Sequence, residues 1–366
     1  MDFVANREVF LPALSKVIGV VERRQTLPIL GNLLVVAQGE TVTLTGSDLE
    51  VEVRTEFGAN VKEEGETTVP ARKLVDICRN LAEGTDVRMR LKDERCVVTA
   101  GRGRFSLGYL AAAGFPAMGL EEGGFEFDVE ETRLKRMLEK CSFAMAQQDV
   151  RYYLNGLFME LRSSLLTAVA TDGHRLAKFV VSMDLAIDEP RQVIIPTKTV
   201  MELKRQLNVS EDSVRLSVGE KSLRILLGQT AMTSKLVDGR YPDYEQVIPR
   251  DLGEVAILDK DALRRSLSRA AILSNEKYRG VRLSFGKGIL KLLAHNPEQE
   301  EAEEEIEIDY DGEPVSVAFN VAYMMDVLGA VDAEKVEIRF QVDNKSSIWK
   351  GEGSEDETFV VMPMRL

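Results

Sequence analysis

Three glycines set the frame of this sequence. Gly31, Gly156 and Gly280 each close a helical stretch and open a strand-like one, and they stand 125 and 124 residues apart. Pro70, Pro196 and Asn320 each lead into a second helical stretch, at spacings of 126 and 124 residues. Shared element order at nearly constant spacing means one unit copied three times. A unit of that length is a domain rather than a solenoid module. A chain of 366 residues is also too long for one ordinary core.

The pattern within each unit predicts the same elements. In the first, 2–4 reads as a strand and 11–21 as a helix; strands at 33–36 and 41–53 follow. A helix over 71–81 and strands at 87–91, 96–99 and 104–107 close it. In the second, strand 125–129 precedes a helix marked by Leu134, Met137, Leu138 and Cys141, one face at i, i+3, i+4, i+7. Strands 157–161 and 166–170, helix 197–207 and strands 213–218, 222–227 and 232–236 follow. The third runs strand 254–258, a helix marked by Leu263, Leu267 and Ala270, strands 281–285 and 289–294, and helix 321–330. Strands 336–342, 346–350 and 359–362 end it. Two helices and two runs of antiparallel strands per unit give an α+β class. The expected domains are 1–120, 125–244 and 250–366, joined through the Gly- and Ala-rich stretch 112–124 and through 241–253, which holds Pro242 and Pro249.

Charge is sorted along the chain. The net charge is −13, which argues against nucleic acid unless the basic residues gather on one face. They do gather on predicted helices: Arg72, Lys73 and Arg79; Arg133, Arg136 and Lys140; Lys198, Lys204 and Arg205; Arg264, Arg265 and Arg269. Arg23 and Arg24 follow the first helix, while the last helix carries Asp326 and no base. The stretch 294–311 has nine acids and no Lys or Arg, and reads as a connection between strands. Basic helix faces are either solvated surface or a track for a phosphate backbone, bound by counterion release and without base readout.

Other classes are excluded. No apolar run approaches the roughly eighteen residues of a membrane span. Asp2 stands where a signal peptide would be basic, so the chain is expected in the cytoplasm. Cys78, Cys96 and Cys141 are far apart and odd in number, which suits neither disulfides nor zinc. No phosphate-binding glycine loop and no nucleophile elbow occurs. Asp172 beside His174 could form an acid–base pair, but no nucleophile or metal cluster accompanies it. Two stretches remain as site candidates, 147–156 and 171–176. Gln148, Arg151, Tyr152 and Tyr153 read either as a half-buried strand entry or as contacts to a phosphate backbone.

The segments Leu27-Pro28-Ile29-Leu30-Gly31-Asn32, 149–156, 170–176, 234–240, 271–279 and Val360-Val361-Met362-Pro363-Met364-Arg365-Leu366 resemble the β subunits of bacterial DNA polymerase III, and the likeness spans the chain. The resemblance implies the DNA clamp fold: a head-to-tail homodimer of three-domain subunits closing into a ring around duplex DNA, with helices lining the hole. It implies DNA contacts at Arg24, Arg72, Gln148, Tyr152 and Tyr153. It also implies a pocket for short peptides carrying a glutamine and apolar anchors. That pocket would be built by Leu154, Thr171, Gly173, His174, Arg175, Leu176, Pro242, Val247, Asn320, Tyr323, Val360, Val361, Met362, Pro363 and Met364. Implied partners are the replicative polymerase subunit, an ATP-dependent clamp loader, translesion polymerases and repair proteins. No cofactor, metal or membrane is implied. The subunit interface would set Phe105 and Leu107 against Ile272 and Leu273. The tail Val360–Met364 also reads as a final core strand. Gln246, Tyr278 and Arg23 depart from the family pattern, which commonly has arginine, phenylalanine and a small residue there. The expected function is a non-catalytic processivity ring. An open, monomeric DNA-binding module and a hydrolase using Asp172 and His174 are the competing readings.

Overall fold

The computed structural model describes residues 1–22, 27–119, 123–250, 253–340 and 346–365. Arg23 and Arg24 lie outside the described residues. The chain divides into two compact units, Met1–Thr132 with Met201–Leu236, and Arg133–Val200 with Val237–Leu366.

Six helices are described: α1 (Arg7–Val17), α2 (Ala71–Arg79), α3 (Glu131–Ser142), α4 (Thr197–Gln206), α5 (Lys260–Ala270) and α6 (Val321–Ala330). Each repeat supplies two. Side chains cap the N-terminal ends of α1, α5 and α6, accepting from orphan amides, whereas α2 is entered through Pro70 without a side-chain cap. Asn6 accepts from Glu8 N at 3.1 Å, Asp259 from Ala262 N at 2.6 Å and Asn320 from Ala322 N at 2.9 Å. One stripe of each helix enters the core, as with Phe10, Ala13, Leu14 and Val17 of α1 or Leu263, Leu267 and Ala270 of α5.

The first unit holds an eight-stranded antiparallel sheet. Its order is Phe125–Glu130, Ser213–Val218, Ser222–Leu227, Thr230–Lys235, Val51–Gly58, Thr41–Ser47, Asn32–Gln38, Gly65–Pro70. Four strands come from the middle repeat and four from the first, and they meet where Thr230 pairs with Thr55 and Ser234 with Val51. The second unit repeats the device: Arg191–Pro196, Gly156–Arg162, Leu165–Thr171, Arg175–Ser182, Glu357–Val361, Ser347–Gly351, Lys335–Phe340, Glu254–Asp259. Here the middle and last repeats meet where Arg175 pairs with Val361 and Phe179 with Glu357. Two half-sheets remain. One, in the first unit, ends on Gly103–Leu107; the other, in the second unit, ends on Glu301–Glu307.

Several expectations are corrected. The first helix begins four residues before 11, because Asn6 caps it and Pro12 is tolerated inside; it gives way to a 3₁₀ turn at Ile18–Val20. The strand expected over 41–53 is a hairpin, broken at Asp48, whose carboxylate accepts from Glu50 N and Val51 N at 2.9 and 2.7 Å. The acidic stretch is no mere connection: Glu301–Glu307 is a strand paired with Ile289–His295. Strand Arg175–Ser182 was not expected at all.

Candidate functional site

The site grows from one turn. Asp172 Oδ1 accepts from His174 N at 2.9 Å and Arg175 N at 3.0 Å. Thr171 Oγ1 accepts from Gly173 N at 3.1 Å and donates to Arg175 O at 2.6 Å. Gly173 has φ of 88°, the left-handed region that favours glycine, and a Cβ there would lie 3.1 Å from the Arg151 guanidinium. The first repeat builds the same turn from Ser47, Asp48 and Leu49, with Leu49 N on Ser47 Oγ at 3.2 Å and Leu49 at φ 77°. In the second unit the chain's last strand docks beside this turn. Leu176 pairs with Val360, Met362 N donates to His174 O at 3.0 Å, and Met364 N donates to Ala318 O at 2.7 Å.

Beneath the turn lies an apolar floor. Ala146, Leu154, Phe158, Val169, Leu176, Ile194, Tyr241, Tyr244 and Val360 form one buried cluster, with Tyr153, Val237, Val247, Ile248 and Ile348 half-buried against it. Leu154, Leu176, Val247 and Val360 had been expected here. Val361 is fully buried but outside this cluster, and Met362, Pro363 and Met364 are half-exposed beyond it. The sequence reading missed Phe158, Tyr241 and Tyr244, though the Tyr-x-x-Tyr spacing in the proline-bearing connection was a visible signal. Phe158 stacks on Tyr241 with ring centres 4.8 Å apart. Burial pushes the Tyr244 hydroxyl up to about 12 and raises that of Tyr241 further.

A charged wall stands on one side. The Arg175 guanidinium bonds Asp172 Oδ2 at 3.1 Å, pairs with Asp326 of α6 and lies 4.7 Å over the Tyr323 ring. The His174 ring stacks on Tyr323 at 6.1 Å. Burial raises the Tyr323 hydroxyl. Asn320 caps α6 and donates to Tyr278 O at 3.3 Å. Asp172 is committed to two backbone amides and Arg175, so it does not orient an imidazole, and no catalytic pair is assembled. Gln246 turns back onto Asp243 at 3.0 Å instead of adding charge to this rim, and Pro242 lies between Tyr241 and Asp243. Among the described residues, no group of three His, Cys, Asp or Glu is placed to hold a metal, and no helix is long and apolar enough to cross a membrane.

Beside the turn, the loop over 147–155 is held by a fork. Arg151 bonds both Asp149 oxygens, at 3.0 and 2.8 Å, and reaches Asp172 O at 3.2 Å. The Arg151 side chain, and then its backbone amide, hold the Asp149 carboxyl down to about 2. Asn155 ties the loop's base, accepting from Asp149 N and donating to Asp149 O, both at 2.9 Å. The loop divides the paired tyrosines: Tyr152 is 57% exposed, while Tyr153 packs on the apolar floor. Gln148 is exposed, with φ of 55°.

The remaining candidates lie elsewhere. Arg72, on α2 in the first unit, is exposed and donates to Val21 O at 2.8 Å. Phe105 is half-buried and Leu107 is 8% exposed on the edge strand Gly103–Leu107, whereas Ile272 is 76% exposed on a 3₁₀ turn with half-buried Leu273. The basic helices are less free than their spacing suggested. Arg136 pairs with Asp332 and Asp356, Arg205 with Glu202, Arg269 with Glu304, and Lys140 is buried. Arg264 and Arg265 instead line a shallow surface depression with Asp261 and Ser268.

Three family profiles match the chain in succession. They are the DNA polymerase III beta subunit N-terminal domain at residues 1–119, its central domain at 128–243 and its C-terminal domain at 245–365. A beta sliding clamp of Pseudomonas putida is 47% identical over 370 residues, with all of both chains covered. The crystal structure of the DNA polymerase III subunit beta from Pseudomonas aeruginosa superimposes with a TM-score of 0.97 at 45% identity, again covering all of both chains. A second crystal structure from that organism, of a sliding clamp bound to griselimycin, is equally similar, with a TM-score of 0.97 and 45% identity over all of both chains.

Proposed function

This chain belongs to the DNA polymerase III beta-subunit family, the non-catalytic sliding clamps of that polymerase, and on that premise we propose how it closes, what it encircles and where its partners dock. Two copies close head to tail into a ring around duplex DNA. The observation that carries this reading is the pair of half-sheets. Two eight-stranded sheets are each fused by one step, the strand after a repeat's turn pairing with the next repeat's last strand. Glu301–Glu307 is the third strand of the first kind and Gly103–Leu107 the third of the second, and both are edges. Joining them between copies makes a third fused sheet, of nine strands, because the first half-sheet has five and the second four. The register seen in the second unit would place Phe105 opposite Ala302 of the partner subunit and Arg104 opposite Glu303 of the partner subunit. Opposite charges in such cross-strand pairs are favourable. Phe105 and Leu107 would then meet the exposed Ile272 and its neighbour Leu273.

Within the ring, cations such as Arg24, Arg72, Arg264 and Arg265, with Gln148, Tyr152 and Tyr153, hold DNA by its backbone and without sequence preference. The apolar floor beneath the 171–176 turn receives short peptides from the polymerase, an ATP-dependent clamp loader, translesion polymerases and repair proteins. Apolar anchors enter over Leu154, Leu176, Val247 and Val360, and Arg175, His174 and Tyr323 form the polar edge. The two rims of the site, Thr171–Gly173 and Asn320, offer backbone and amide groups to the peptide's glutamine. The proposed location is the cytoplasm, on the nucleoid during replication.

The test is retention on nicked circular DNA at high salt, after loading with clamp loader and ATP. Retention on circles with loss on linearisation is expected of a closed ring. Equal loss from both forms would favour an open module held by charge, and equal retention would refute sliding.

A further inference from the structure

Lys140 shares a basic face with Arg133 and Arg136 by its spacing, and it is the one basic residue of α3 that the structure buries. Its side chain is 3% exposed. Its ammonium lies 2.6 Å from Glu357 Oε2 and 3.0 Å from Asp332 Oδ2, and it donates to the carbonyl of Ala330. Glu357 is equally enclosed, and its other oxygen accepts from Gly351 N at 2.8 Å. Arg136, one turn back, adds an exposed pair of contacts to Asp332 at 3.3 Å and Asp356 at 3.6 Å.

The elements this ammonium ties together are those that build the pocket at their far ends. Glu357 opens the strand Glu357–Val361, whose Val360 is part of the apolar floor. Ala330 closes α6, whose first turns carry Asn320, Tyr323 and Asp326. Lys140 thus fixes both the strand and the helix to α3. A buried ion pair of this kind gives little net stability over an apolar replacement, but it is exacting about geometry: removing one partner leaves an uncompensated buried charge. We infer that Lys140 is a positioning residue for peptide recognition, setting the pocket floor and the Tyr323 wall through Glu357 and the end of α6. This inference rests on the pocket assigned above.

The experiment measures binding of a labelled peptide, carrying a glutamine and leucine and phenylalanine anchors, to the full-length dimer by fluorescence anisotropy. Thermal melting and amide hydrogen exchange over 357–362 are followed in parallel. Lys140→Met is expected to weaken the peptide about tenfold and to speed exchange along the tail strand. Lys140→Arg, which keeps a charge and its donors, is expected to restore affinity to within about threefold. Glu357→Gln keeps the shape and the Gly351 contact, and is expected to weaken binding about threefold; it carries the test if Lys140→Met does not fold. In the Lys140→Met background, Glu357→Gln removes the stranded charge and is expected to recover part of the loss. Unchanged peptide affinity in a cooperatively melting Lys140→Met protein would overturn the inference and leave the pocket standing. Failure of the wild-type protein to bind the peptide would instead overturn the pocket reading, and this inference with it.

Discussion

Ile272→Ala isolates the proposed joint between copies. Ile272 is 76% exposed in the single chain, so its removal leaves the folded subunit almost untouched. Burying such a side chain gives about 1.5–3 kcal/mol, and truncation to alanine removes about 2 kcal/mol of it. A ring of two copies has two identical joints, so the dimer as a whole loses about 4 kcal/mol. At about 1.4 kcal/mol per decade, that is roughly a thousandfold in the dimer dissociation constant. Sedimentation velocity over a dilution series reads it directly, with circular dichroism confirming that the subunit remains folded. A dissociation constant within about threefold of wild type would refute the placement of Ile272 at the joint. It would also remove the argument that the exposed isoleucine meets Phe105 and Leu107.

Other expectations follow from the pocket and its flanking loop. His174→Ala loses a ring stack on Tyr323 of about 0.5–1.5 kcal/mol, so peptide affinity should fall about two- to tenfold in a titration, and the detection of a hydrolytic turnover that this variant abolishes would revive the catalytic reading. Gly173→Ala forces a Cβ into a left-handed residue at a cost of about 1–2 kcal/mol, which should lower the melting temperature by roughly 2–8 °C; an unchanged melting curve would show that the turn relaxes freely. Asp149 is held at about 2, below an unperturbed aspartate near 4. Its pairing with Arg151 is therefore complete above about pH 4 and is lost as pH falls through about 2. Carboxyl resonances followed by NMR should show that low midpoint, and titration near 4 would mean that the fork is open in solution.

The threefold frame was legible because it rests on local signals. Strands Ser213–Val218 and Ser222–Leu227 and the helix Val321–Ala330 fall where periodicity put them. What was lost depended on distant partners or on competing signals. Glu301–Glu307 alternates its faces, with Ala302, Glu304 and Ile306 half-buried between exposed glutamates, but the density of charge hid that period. Lys140 looked like its exposed neighbours on α3, because the residue that buries it, Glu357, is 217 positions away. At the site, the family resemblance supplied Leu154, Leu176, Val247 and Val360, yet not Phe158, Tyr241 or Tyr244. Aromatic side chains in a connection give no period, and only the fold folds them under the turn. The fate of the basic helices was readable only in part: Arg205 pairs with Glu202 three residues back, a spacing the sequence displays, whereas Arg136 and Arg269 take Asp332, Asp356 and Glu304 from far along the chain.

The fused half-sheets give each repeat one outlet strand and one inlet strand. A chain of three repeats has used two of each, so it is a polar object of valence two. Once its joints hold, such an object has only two fates, a closed ring or an endless helical filament, and the choice between them lies in the rotation per joint rather than in its strength. Substitutions near Gly103–Leu107 or Glu301–Glu307 that tilt the joint without weakening it would therefore not yield monomers. They would yield fibres of correctly folded subunits, a failure that an assay for dissociation would miss and light scattering would catch.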